Sequence, residues 1–256
     1  HEVILINKTS TPALWKKVIM RILIKIPFHD IKNLKANHHS DVKWHKRTVF
    51  HRAFIEQEIF KISKKLNSKK DLEAYTKKEK FDAVIVGSDQ VWKRSGIISE
   101  KYYKSYFLDF VESSKTKKIA YAASFGQDHW DGKDDLKELA KLMKDFHAVS
   151  TRELSGIDIC KNSFKFHDTK HVLDPTLLQD KEFYLKIISN HNVSNIKKGG
   201  LVTYFLNETD EKRKIIDFVQ TSLDIKYVNH LKGFGSKNTY SVPEWLTAWV
   251  YADTIV

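Results

Sequence analysis

The run Ala83-Val-Ile-Val86, stopped by Gly87 and followed at once by Ser88, Asp89 and Gln90, constrains this chain more than any other stretch. Four apolar residues rich in β-branched side chains suit a short strand buried on both faces, the habit of parallel sheets. A glycine then polar residues just past the strand put Ser88, Asp89 and Gln90 at its carboxyl end. In open α/β sheets that is the edge where ligands sit. The residues alone leave a second reading open, in which Ser88 or Asp89 caps the next helix.

The same alternation recurs along the chain. Strands are expected at Val3 to Ile6, Lys118 to Ala123, His147 to Thr151 and His171 to Leu173, with helices at Val49 to Leu66, Asp71 to Lys80, Asp134 to Phe146 and Leu154 to Cys160. A helix from Phe183 runs into a polar linker closed by Gly199-Gly200, and a second set follows: strand Leu201 to Leu206, helix Thr209 to Leu223, strand Ile225 to Asn229, a helix from Ser241 and a strand Asp253 to Val256. Ser241-Val-Pro-Glu244 fits a capping box with proline in the first turn. Strands alternating with helices imply parallel βαβ units. The fold expected is therefore α/β, with two Rossmann-like domains facing a cleft: an N-terminal domain over 1–185 and the start of a C-terminal one over 186–256, the latter truncated. The chain opens at His1 within one apolar run and stops at Val256 within another, so we read it as a piece of a longer protein.

Composition narrows the function classes. A formal charge of +12 over 256 residues favours anionic partners. The lysines between Lys61 and Lys80 carry much of the excess, either as a solvated face or as an anion-attracting one. They lack the interleaved arginines, aromatics and module of a nucleic-acid site, so no nucleic acid is expected. No apolar run reaches membrane-spanning length. The helix expected over Leu14 to Ile26 pairs an apolar stripe with Lys16, Lys17, Arg21 and Lys25, which fits core packing or peripheral contact with an anionic membrane face. Cys160 is the only cysteine, which excludes an internal disulfide and agrees with a cytoplasmic location. His29, His38, His39, His45 and His51 lack metal-ligand spacing, so no metal is expected. Gly233 and Gly235 fit a phosphate-cradling loop or an ordinary turn.

Four segments occur in a familiar order: Gly87-Ser-Asp-Gln-Val-Trp92, Ile119-Ala-Tyr-Ala-Ala-Ser-Phe-Gly126, Val149-Ser-Thr-Arg-Glu153 and Leu173-Asp-Pro-Thr-Leu-Leu178. Together they resemble the polysaccharide pyruvyl transferase family, specifically from Phe81 to Leu178 and more weakly through Val256. The resemblance implies a GT-B-like arrangement and transfer of the pyruvyl group of phosphoenolpyruvate onto two hydroxyls of one sugar, forming a cyclic ketal during cell-surface or extracellular polysaccharide biosynthesis. Phosphoenolpyruvate would be the donor substrate, with no further cofactor, and a glycan or lipid-linked glycan the acceptor at the cytoplasmic side of the membrane. The family's catalytic histidine segment would follow Val256, so no catalytic residue is assigned within the chain and this piece is expected to be inactive. Lys93 stands where the pattern calls for Asn.

The chemistry selects residue types. Arginine's planar fork suits the donor's carboxylate and phosphate, which makes Arg152 the donor-binding candidate; an ion pair with Glu153 is the other reading. Ser88, Asp89 and Gln90 suit acceptor hydroxyls, with Trp92 as a platform for a sugar ring or, alternatively, as core packing. A nucleotide-sugar glycosyltransferase of the same architecture and a non-catalytic binding module are the competing functions.

Overall fold

The computed structural model describes residues 2–6, 8, 49–94, 103–132, 135–194, 196–205, 209–232 and 240–256. The helix expected over Leu14 to Ile26, His29 to His45 and the Gly233/Gly235 loop lie outside these residues. The chain separates into two compact units, one holding residues 63–179 and the other residues 180–256 together with 49–62 and the first few residues.

Within the 63–179 unit, helix α2 (Lys69–Glu79) begins at a Ser68/Asp71 capping box: Ser68 Oγ accepts from the Asp71 N–H, and the Asp71 carboxylate accepts from the Ser68 N–H. Strand β1 (Ala83–Val86) follows, then β2 (Lys117–Ala123), α3 (Leu136–Lys144), β3 (Ala148–Thr151), α4 (Leu154–Asn162) and β4 (Thr169–His171). All three pairings are parallel, in the order β1-β2-β3-β4. Chain order and spatial order therefore coincide, and the carboxyl ends of the four strands line one edge. Trp92, Phe107, Phe125, Leu139, Met143 and Phe164 fill the core without exposed surface or nearly so. Cys160 lies in the same core, where burial pushes its thiol up to about 11 and removes it from nucleophilic chemistry.

One irregularity shapes the ligand edge. Between Ala120 and Ala123 strand β2 carries one residue more than β3, a bulge. Ala122 takes φ 50°, in the left-handed region. The Ser150 hydroxyl on β3 spans the bulge, donating to the Ala120 carbonyl at 3.1 Å and accepting from the Ala122 N–H at 3.0 Å.

In the other unit, strands β5 (Leu201–Phe205), β6 (Val228–Lys232) and β7 (Thr254–Ile255) form a parallel sheet in the order β6-β5-β7. Its described helices are α1 (Val49–Glu58), α5 (Lys181–Ser189), α6 (Asp210–Ser222) and α7 (Val242–Val250), and α7 packs against both α5 and α1. The Ser241/Glu244 capping box and the first-turn proline of α7 are present as expected. The protein is thus α/β with two parallel sheets, and the described residues within 201–256 do not pair into the first sheet.

Three expectations are corrected. Residues 3–6 form no strand of the first sheet; Leu5 and Lys8 make only isolated parallel bridges, to Ile62 and Leu66. Val3 is 81% exposed, so its apolar character does not reflect burial. The helix expected over Val49 to Leu66 ends at Glu58, because Ile62 and Leu66 belong to those extended bridges. A spacing of four suits one face of a helix and one side of an extended chain equally. Strand β6 starts three residues later than expected, since the Ile225 N–H still bonds the Gln220 carbonyl at the end of α6.

Candidate functional site

The carboxyl edge of the first sheet gathers four loop starts: Gly87 after β1, Ser124 after β2, Arg152 after β3 and Val172 after β4. Gly87 is required where it stands. A Cβ there would sit 1.9 Å from the Tyr121 carbonyl oxygen, and its φ of +147° is one that side chains rarely adopt. The chain behind it is tied to β2, because the Ser124 N–H donates to the Asp89 carbonyl at 3.3 Å and the Trp92 N–H to the Ser124 carbonyl at 3.1 Å.

Arg152 lies at the centre of an ion cluster. Its Nε donates to Glu153 Oε1 at 2.9 Å and its Nη1 to Asp174 Oδ2 at 3.1 Å, and Nη2 stands 3.7 Å from Asp89 Oδ1. Glu153 Oε1 also accepts from the Ser124 hydroxyl at 2.9 Å, which in turn accepts from the Gly126 N–H at 2.9 Å. Asp174 Oδ1 accepts from the Thr176 N–H at 3.0 Å and from the Thr176 hydroxyl at 2.8 Å, fixing the turn that starts at Pro175. Partial burial works against the Arg152 charge, but the bonds and charges of Glu153 and Asp174 outweigh it and hold the pKa above its ordinary value. For Asp174, burial raises the pKa, while the Thr176 bonds and Arg152 lower it further, leaving a net depression.

Of the two readings of Arg152, the ion pair is the one present in the geometry. The ion pair with Glu153 exists, extended to Asp174, and it holds the guanidinium by two edges while Nη2 stays without a hydrogen bond among the described residues. The Ser88 hydroxyl and the Gln90 side-chain amide likewise make no hydrogen bond among the described residues. Asp89 uses Oδ1 to accept its neighbour's N–H at 2.7 Å and is 92% exposed. Ser88, Asp89, Gln90 and Arg152 thus come together at the carboxyl edge of the first sheet.

Trp92 is corrected from acceptor platform to core. It has no exposed surface, its ring stacks on Phe107 at 5.4 Å and meets Phe125 at 5.2 Å, and its Nε1 donates to the Tyr106 carbonyl at 3.1 Å. It supports the loop from beneath and offers no face to a sugar. The partnership of Asp174 with Arg152, and of Ser124 with Glu153, went unread in the sequence. The usable signal was that each ends a strand next to another in the sheet.

The second sheet has a feature of its own. Its order reverses at β5, with β6 on one side and β7 on the other, which makes the carboxyl ends of β5 and β7 a topological switch point. Among the described residues, no three His, Cys, Asp or Glu side chains are placed to hold a metal ion, and no helix is long and apolar enough to cross a membrane.

Comparison with known proteins adds one finding. A family model, described as "Polysaccharide pyruvyl transferase", matches residues 8–252. No curated protein and no solved structure matches the chain.

Proposed function

The chain belongs to the polysaccharide pyruvyl transferase family, and from that membership we propose that it takes part in moving the pyruvyl group of phosphoenolpyruvate onto two hydroxyls of a sugar during polysaccharide biosynthesis. The match over residues 8–252 is the observation that carries this reading. Two Rossmann-like domains facing a cleft, as in GT-B enzymes, a cytoplasmic location and a glycan or lipid-linked glycan acceptor belong to the same proposal.

The chemistry fits the groups on the edge. Protonation of the methylene carbon makes C2 of the donor electrophilic; two acceptor hydroxyls form bonds to C2, and the C2–O bond to phosphate breaks. One hydroxyl proton is balanced by the proton gained at the methyl group, and the other leaves through a base or the departing phosphate. Asp89 and Gln90 suit the acceptor hydroxyls, with Ser88 beside them. Arg152 Nη2 suits a carboxylate or phosphate oxygen of the donor, and the clamp by Glu153 and Asp174 keeps the guanidinium in one orientation.

The test is acceptor-dependent phosphate release from phosphoenolpyruvate, with mass spectrometry of the glycan for the ketal. Release of nucleoside diphosphate from a nucleotide sugar, without consumption of phosphoenolpyruvate, would instead assign a glycosyltransferase of the same architecture.

A further inference from the structure

Lys93 follows the buried Trp92, and the backbone leading into it is held by two hydrogen bonds. Its N–H donates to the Gln90 carbonyl at 3.2 Å, and the preceding residue's N–H donates to the Ser124 carbonyl at 3.1 Å. Its stem lies against Gly126: a Cβ built there would stand 3.0 Å from Lys93 Cδ and 2.8 Å from Gln90 Cδ. Gly126 is the residue whose N–H supports Ser124, and Ser124 supports Glu153. Lys93 is therefore rooted in the loops that carry Asp89, Gln90 and the Arg152 clamp.

Its charge, unlike that of Arg152, is not taken up. Among the described residues the Lys93 ammonium has neither a carboxylate within ion-pair distance nor a hydrogen bond, although the residue is half-buried. The stem lies against Gly126, and no protein carboxylate among the described residues neutralises the ammonium it carries. The edge as a whole sets the cations Arg152 and Lys93 against the carboxylates Asp89, Glu153 and Asp174. Those five groups sum to a formal charge of −1 with Lys93 and −2 without it, so Lys93 lowers the repulsion met by an anion that approaches Arg152 Nη2.

We infer that Lys93 is an anion-binding residue of this edge, contacting a phosphate or carboxylate oxygen of the ligand and setting a preference for anionic over neutral ligands. This rests on the reading of the edge as a ligand site, and not on pyruvyl transfer as the reaction.

The test is titration of the parent protein, Lys93→Met and Lys93→Arg with phosphoenolpyruvate, inorganic phosphate and pyruvate, alongside thermal unfolding. Met preserves the stem over Gly126, so the unfolding temperature should not change. Loss of a charge-assisted bond should weaken phosphoenolpyruvate binding about 10- to 100-fold in the Met variant, with Lys93→Arg within about threefold of the parent. A parallel loss for inorganic phosphate identifies the phosphate as the contact, and a parallel loss for pyruvate identifies the carboxylate. Equal phosphoenolpyruvate affinity in parent and Lys93→Met overturns the inference while leaving the proposed reaction standing. A parent protein that binds none of the three anions overturns both.

Discussion

Replacing Arg152 separates its two roles. In Arg152→Met, Glu153 and Asp174 lose hydrogen bonds of 2.9 and 3.1 Å, and the carboxylates at this edge face one another without the guanidinium between them. A charge-assisted bond contributes about 1.5–3 kcal/mol when well buried. The Arg152 side chain is 26% exposed, and its partners Glu153 and Asp174 are 40% and 23% exposed, so the lower end applies. The expected loss is about 2–4 kcal/mol in urea unfolding for Met, and about 1–2 kcal/mol for Arg152→Lys, whose single ammonium keeps one partner. Donor binding should fall independently, about 10- to 100-fold in Met, through loss of the Nη2 donor. The pH dependence has a definite sign. Asp174 has a depressed pKa in the folded protein, so its contribution is present above the unfolded value and is lost as pH falls through the folded one. The Thr176 bonds are the larger causes of that depression and Arg152 adds to them, so the stability gap between parent and Arg152→Met should narrow only in part as pH drops below about 4. Unfolding curves from pH 7 to pH 3 check this. A gap below about 0.5 kcal/mol at pH 7 would refute the clamp, since it is smaller than one ordinary hydrogen bond. A full gap with unchanged phosphoenolpyruvate affinity would leave the clamp and remove the donor role.

Three further substitutions probe the frame. Gly87→Ala places a methyl group 1.9 Å from a backbone oxygen that cannot rotate away; a stability loss of about 3–5 kcal/mol is expected, and wild-type unfolding with full ligand binding would contradict the close approach. Ser150→Ala removes both hydrogen bonds across the β2 bulge and should cost about 1–3 kcal/mol by the same measurement, with an unchanged midpoint arguing against the bridge. Trp92→Leu empties part of a ring cluster with no exposed surface and should lose about 2–4 kcal/mol; loss of acceptor affinity at unchanged stability would restore the platform role rejected above.

The fold was legible where one physical signal dominated. The runs at Ala83, Lys118 and His147 are short, apolar and followed by small or charged residues, and each became a parallel strand within a residue or so of its expected bounds. The Ser241 capping box was readable because both partners lie within one turn. Legibility failed where two periods coincide, as at Ile62 and Leu66, and where apolar character came without burial, as at Val3. At the site, the loop positions of Ser88, Asp89, Gln90 and Arg152 followed from strand ends alone. The partnership of Arg152 with Asp174 did not, since it spans 22 residues and depends on β4 lying beside β3. Trp92 was ambiguous because an aromatic next to a ligand loop serves equally to support it or to face the ligand. Only the depth of the ring separates the two.

The polar groups at the strand ends divide by whether the protein already satisfies them. The Ser124 hydroxyl, Glu153 Oε1, the Asp174 carboxylate and the Nε and Nη1 of Arg152 are bonded to one another or to backbone. Removing any of them leaves a partner unpaired, so its first effect is on folding. The Ser88 hydroxyl, the Gln90 amide, the Lys93 ammonium and Arg152 Nη2 make no hydrogen bond among the described residues. Removing one of these breaks no hydrogen bond within the described residues, although Arg152 Nη2 still faces Asp89 Oδ1 at 3.7 Å, so its expected effect is on binding more than on folding. The two sets meet in Arg152 alone, which is why it is the residue whose substitution should change stability and affinity together. A pair drawn from different sets, such as Ser124→Ala with Gln90→Ala, should then be additive in stability, and coupling energies above about 0.5 kcal/mol would mean that the second set is structural after all.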